Sequence, residues 1–116
     1  MLVPGPNTKI YLCTGFTDMR KGINGLCLLA QDILSSQFSS GAMFIFRGKS
    51  ATRLKILWWD DQGFCMFYKC LNSGRFSWLN TEDKGSVSIT RAQLSILLEG
   101  AEWQNIKWSD PPKYAG

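Results

Sequence analysis

Apolar and polar positions change period along this chain, and each change predicts an element. Lys9 to Cys13 alternates, with Ile10 and Leu12 on one face, and its β-branched and aromatic content suits a short strand. From Met19 to about Leu34 the period lengthens: Ile23, Leu26, Cys27, Ala30, Ile33 and Leu34 recur at three- and four-residue spacing. That spacing predicts a long N-terminal helix, with Thr17 or Asp18 placed to cap it. Gly22 and Gly25 weaken such a helix by roughly 1 kcal/mol each relative to Ala, so packing must hold it.

Ser35 to Gly41 reads as a polar loop. Four runs then read as successive strands: Ala42 to Phe46, Leu54 to Asp60, Phe64 to Leu71 and Arg75 to Leu79. Arg47 to Arg53 forms a longer loop between the first two. Asp61, Gln62 and Gly63 suit a three-residue hairpin with Gly in the left-handed position, and Asn72, Ser73 and Gly74 suit another. After a polar linker, Thr90 caps a short C-terminal helix with Leu94, Leu97 and Leu98 on one side and Gly100 as its stop. The predicted fold is α+β: a single domain over 1–103 with an antiparallel four- to five-stranded meander sheet, a long N-terminal helix and a short C-terminal helix, followed by a C-terminal tail over 104–116.

A turn on Asp61 to Gly63 sets a register in which Asp60 pairs with Phe64 and Lys55 stands opposite Lys69. Like charges directly across strands are unfavourable, and a nucleic-acid phosphate between them would relieve the repulsion. In that register Leu54, Ile56, Trp58, Met66, Tyr68 and Cys70 share one face, while Lys55, Leu57, Trp59, Cys65, Phe67 and Lys69 share the other. The sheet is therefore apolar on both faces. Trp59 and Phe67 either pack under the C-terminal helix, meet a partner, or stack on unpaired bases.

Composition narrows the chemistry. At 116 residues the chain is long enough for one core without disulfides or a metal. Cys13, Cys27, Cys65 and Cys70 lie among apolar neighbours without a Cys-x-x-Cys pair, so they read as reduced core thiols. No run combines a basic start, an apolar stretch and a small-residue cleavage site, and Ile23 to Leu34 is too short and polar to span a bilayer. The expectation is a cytoplasmic protein with no membrane contact. A formal charge of +4 mildly favours an anionic partner.

The chain has no histidine, which removes the Ser-His-Asp and Cys-His arrangements and the commonest general base at neutral pH. Asp18, Asp60, Asp61 and Glu99 lack the spacing of a magnesium site and read as caps, turns and helix ends. Arg47, Gly48, Lys49 and Ser50 resemble the end of a phosphate-binding P-loop, but Met43 stands where the motif needs glycine, and a strand follows instead of a helix. No catalytic residue, metal site or cofactor is expected. What remains is a gathering of cations, Arg47, Lys49, Arg53 and Lys55 within nine residues, and Arg20 with Lys21 in the first turn of the predicted helix. Cations there are disfavoured by the backbone dipole unless an anion sits nearby, and Asp18 is one candidate for it.

At Thr17-Asp18-Met19-Arg20-Lys21-Gly22, followed by Gly25-Leu26, the chain resembles the accessory proteins called TnpB of insertion-sequence family sixty-six. The resemblance continues through Phe44 and Phe46, the run Lys55-Ile56-Leu57-Trp58-Trp59-Asp60 with Gly63, then Lys69, Leu71, Gly74, Phe76 and Trp78, and finally Gln93-Leu94 with Leu97-Leu98-Glu99-Gly100. It implies a small non-catalytic helper of transposition beside a separate, larger transposase that carries the acidic catalytic residues. Two readings of that role follow. In the first, Arg20, Lys21, Arg47, Lys49, Arg53, Lys55 and Lys69 contact DNA phosphates. In the second, apolar surface around Trp59 and Phe67 docks the element-encoded transposase or a second copy of the chain, as a homo-oligomer.

Overall fold

A parallel strand pair organises the sheet. The chain runs along β1 (Ile10–Cys13), crosses through α1 (Ile23–Ile33) and returns in the same direction as β2 (Met43–Arg47), with Ile10 beside Met43 and Leu12 beside Ile45. A helical crossover of this length is what a parallel connection requires. β3 (Arg53–Trp59) and β4 (Phe64–Cys70) then follow antiparallel on one side, while β5 (Ser86–Ile89) pairs antiparallel with β1 on the other, giving the order β4-β3-β2-β1-β5. The computed structural model describes residues 7–33, 42–78 and 85–100.

Strand alternation divides the core into two layers. Ile10, Leu12, Met43, Ile45, Leu54 and Ile56 face Phe76, Trp78 and the leucines of α2 (Arg91–Leu98). Cys13, Phe44, Phe46 and Leu57 face the opposite way, under Leu26 and Ala30 of α1. One helix on each face explains why the sheet is apolar on both, and why every position of the central strand β2 is buried. α2 begins at a complete capping box, in which the Thr90 hydroxyl accepts from Gln93 N–H while the Gln93 side chain accepts from Thr90 N–H. It ends at Gly100, whose φ of +74° is the left-handed conformation glycine supplies after a helix. Trp58 packs against the α2 layer, on the face opposite Lys55, as the alternation predicts.

Several expectations are corrected. The sheet is mixed, not an antiparallel meander, because the first strand enters through a crossover. The N-terminal helix is 11 residues and starts at Ile23, not Met19. Lys21 N–H closes a turn on Asp18 O, and the Lys55 ammonium takes Met19 O and Lys21 O at 2.7 and 2.8 Å, so these carbonyls serve a lysine rather than a helix. Neither Thr17 nor Asp18 caps α1. Arg20 and Lys21 precede it, so the argument from its dipole no longer applies.

The proposed strand from Arg75 to Leu79 is absent over residues 75–78, where the chain donates from Phe76 N–H to Ala51 O and turns Phe76 and Trp78 into the core. The fifth strand is β5, in what reads as polar linker, because pairing with β1 outweighs a serine-rich composition. At the β3–β4 hairpin Trp59, not Asp60, pairs with Phe64. The turn therefore spans 60–63, Asp61 rather than Gly63 takes the positive φ, and the Asp60 carboxylate accepts from Gln62 and Gly63 N–H. This one-residue change places Lys55 opposite Tyr68 and Lys69 opposite Leu54, so the like-charge pair does not form. Cys70 is exposed rather than a core thiol. The 35–41 loop, Leu34, Leu79 and the 103/104 boundary with its tail lie outside the described residues.

Candidate nucleic-acid interface

Two loops meet at the carboxyl ends of β1 and β2, where open α/β sheets present their ligand crevices. Residues 14–22 follow β1, and residues 48–52 join β2 to β3. Thr17 N–H donates to Arg47 O at 2.9 Å, which ties the first loop to the end of β2. The second loop folds on itself through Gly48 N–H to Arg53 O and Ala51 N–H to Gly48 O, with Ala51 at a φ of +64°. At Gly48 the loops are so close that a Cβ would stand 2.6 Å from Met19 Cγ, so glycine is what lets them touch. The result is an open cleft of about 380 Å³, lined by Thr17, Asp18 and Met19 from one loop and Lys49, Ser50 and Arg53 from the other.

The basic residues singled out in the sequence divide into two groups. Arg20, Lys21, Lys49 and Arg53 are exposed around this loop end. Arg20 is held by Asp18 through a two-oxygen ion pair, 2.8 Å at its shortest, and the same guanidinium keeps the Asp18 carboxyl well below its ordinary range, at about 2. The second group is engaged internally. Lys55 is buried on the two carbonyls before α1, with its ammonium 4.8 Å from the Tyr68 ring centre. Lys69 donates to Leu98 O at the end of α2, where a cation suits the helix dipole. Arg47 is 7% exposed, donates to Phe76 O, and lies between the Phe16 and Trp78 rings at 5.1 and 5.2 Å. Its Nε is buried without a hydrogen-bond partner. Burial, and then the nearby charge of Arg75, lower its pKa from the ordinary arginine value.

Arg75, exposed and electrostatically within reach of Arg47, is a cation at this end that sequence reasoning placed in a strand. Nothing in the local sequence sets it beside Arg47; the Phe76 to Ala51 hydrogen bond does. Trp59 and Phe67 lie on opposite faces, contrary to the expected register. Trp59 meets Phe64 edge-on at 4.9 Å, and Phe67 packs against the α2 layer. They do not make a joint patch. Among the described residues no group of three His, Cys, Asp or Glu could hold a metal ion, and no helix is long and apolar enough to cross a membrane.

A small single domain with a five-stranded mixed sheet between two helices, and a basic loop end at the carboxyl ends of its one parallel strand pair, is the class that fold and site define. The chain belongs to the IS66 Orf2-like family, a family associated with transposition of insertion sequences, whose model matches residues 8–108. It is similar to the uncharacterized protein y4hO of Sinorhizobium fredii (strain NBRC 101917 / NGR234), 44% identical over 105 residues that cover 90% of each chain. It is also similar to the uncharacterized protein y4jC of the same strain, 32% identical over 107 residues that cover 92% of this chain and 91% of that one. No solved structure matches.

Proposed function

We propose that this protein is a non-catalytic accessory factor of transposition that contacts DNA phosphates through its basic loop end, beside an element-encoded transposase that performs the chemistry. The family supplies the context of transposition. The observation that carries the DNA reading is that Lys49 and Arg53 line one cleft together with the loop that carries the exposed Arg20 and Lys21, and that Asp18 is the acid among its lining residues. Hydroxyls of Thr17, Ser50 and Thr52 line the same cleft and suit phosphate oxygens. Lys55, on the Met19 and Lys21 carbonyls, and Arg47, beneath Phe16, support this surface from within. A DNA-bound role also places the protein in the cytoplasm.

The test is the salt dependence of DNA binding. Each phosphate contact contributes a slope of about −0.9 in log affinity against log salt on duplex DNA, so the exposed cations give a steep line. Binding insensitive to salt counts against the reading. A second reading, an adaptor that docks the transposase or a second copy, is favoured by β4, a sheet-edge strand of seven residues that leaves Tyr68 44% exposed. That surface predicts association with weak salt dependence.

A further inference from the structure

A second cleft, of about 560 Å³, adjoins the basic one, sharing Thr17 and Asp18 with it. Its size lies within the roughly 300–1,000 Å³ of small-ligand sites. Its lining differs from that of its neighbour. Phe16 contributes an aromatic ring, Lys21 a cation, and Asp18 and Asp32 two carboxylates. Phe16 is 56% exposed, which is unusual for a phenylalanine, and its ring is anchored by the Arg47 guanidinium 5.1 Å from its centre. Trp78 holds that guanidinium from another side, so Arg47, deeply buried and with its Nε unpartnered, serves as a rigid support under an exposed ring.

We infer that this cleft receives one unpaired DNA base carrying an exocyclic amine, stacked on Phe16 and hydrogen-bonded to Asp32, while the neighbouring phosphates lie along Lys21, Lys49 and Arg53. Two carboxylates disfavour a phosphate in this cleft and favour a neutral group that donates hydrogen bonds. The cytosine amine is such a group, and carboxylate side chains accept from it. An aromatic platform beside a cationic track is the arrangement by which proteins hold single strands, with stacking supplied by any base and preference by its polar edge. The inference rests on the DNA-phosphate reading above and makes it more specific: the ligand is DNA with unpaired bases, not an intact duplex.

The experiment compares 12-nucleotide oligo-dC, oligo-dT and a duplex of the same length, at low and moderate salt, with the full chain and with Phe16→Ala, Phe16→Trp and Asp32→Asn. Oligo-dC is expected to bind tighter than oligo-dT and the duplex. Phe16→Ala should weaken oligo-dC binding about tenfold while leaving duplex binding unchanged, as expected for loss of one base stack. Phe16→Trp should keep the affinity, which separates stacking from a folding defect. Asp32→Asn should bring oligo-dC and oligo-dT together. Duplex or oligo-dT binding as tight as oligo-dC, or no effect of Phe16→Ala, overturns this inference and leaves salt-dependent duplex binding standing. Salt-insensitive binding of every DNA removes the phosphate reading along with it.

Discussion

At the loop end, the Lys55 ammonium bonds two backbone carbonyls, Met19 O and Lys21 O, from a buried position in β3. Lys55→Met keeps the apolar stem but leaves both carbonyls without that donor, and should cost about 2 kcal/mol. Urea unfolding checks it: the midpoint should fall while the slope stays constant. Asp18 makes a different prediction. Its folded pKa, about 2, lies below the ordinary aspartate value, so the Arg20 pair contributes fully above the ordinary value and is lost as pH falls toward the lower. An NMR titration of the Asp18 carboxyl should show its midpoint near 2; a midpoint near the ordinary value would mean that the pair does not hold in solution. Both groups are exposed, so the effect on stability is small. The effect on binding is larger: Asp18→Asn releases Arg20 and should raise DNA affinity, with a salt slope steeper by up to about one contact.

Among the elements, α2 depends on its first turn. Thr90→Ala removes the acceptor for Gln93 N–H and should cost about 1 kcal/mol, measured by chemical unfolding. This element is legible in the sequence because Thr90, Gln93, the leucine spacing and Gly100 all act locally. What local pattern does not carry is partner choice between strands. Ser86–Ile89 is only four residues long and half serine, and it is its pairing along β1, with Val87 opposite Leu12 and Ile89 opposite Ile10, that makes it a strand. Arg75 to Trp78 has a strand's composition, yet its Phe76 and Trp78 fill the core as an irregular segment. The hairpin shifts by one residue because the Asp60 carboxylate captures two amide donors in the turn, a choice that side-chain period alone does not reveal. The junction of the two loops gives a further prediction. Gly48→Ala forces its new methyl group onto Met19 and should weaken DNA binding by pushing the loops apart, while the double change with Met19→Ala restores it. Equal binding by Gly48→Ala and wild type would show that the close approach has no part in the site.

For the molecule as a whole, the sequence identifies an apolar two-faced sheet, a set of cations and a family, but not which cations reach solvent. Arg47, Lys49, Arg53 and Lys55 lie within nine residues, yet Lys49 and Arg53 face solvent, whereas Arg47 is buried on Phe76 O and Lys55 on the carbonyls before α1. The loop that carries Arg20 and Lys21 reaches the same end through the parallel pairing of β1 and β2, and touches the second loop at Met19 and Gly48. The Phe16 platform was not apparent either, since a single aromatic after a glycine has no pattern until Arg47 lies beneath it. The central claim is that these four exposed cations form a phosphate surface. Its most direct test is a salt titration of DNA affinity with the variant Arg20→Ala, Lys21→Ala, Lys49→Ala, Arg53→Ala, alongside its melting curve. The account predicts an intact fold and a slope of log affinity against log salt flattened by about three contacts, Arg20 being held by Asp18 in the native protein. An unchanged slope in a folded variant would contradict it.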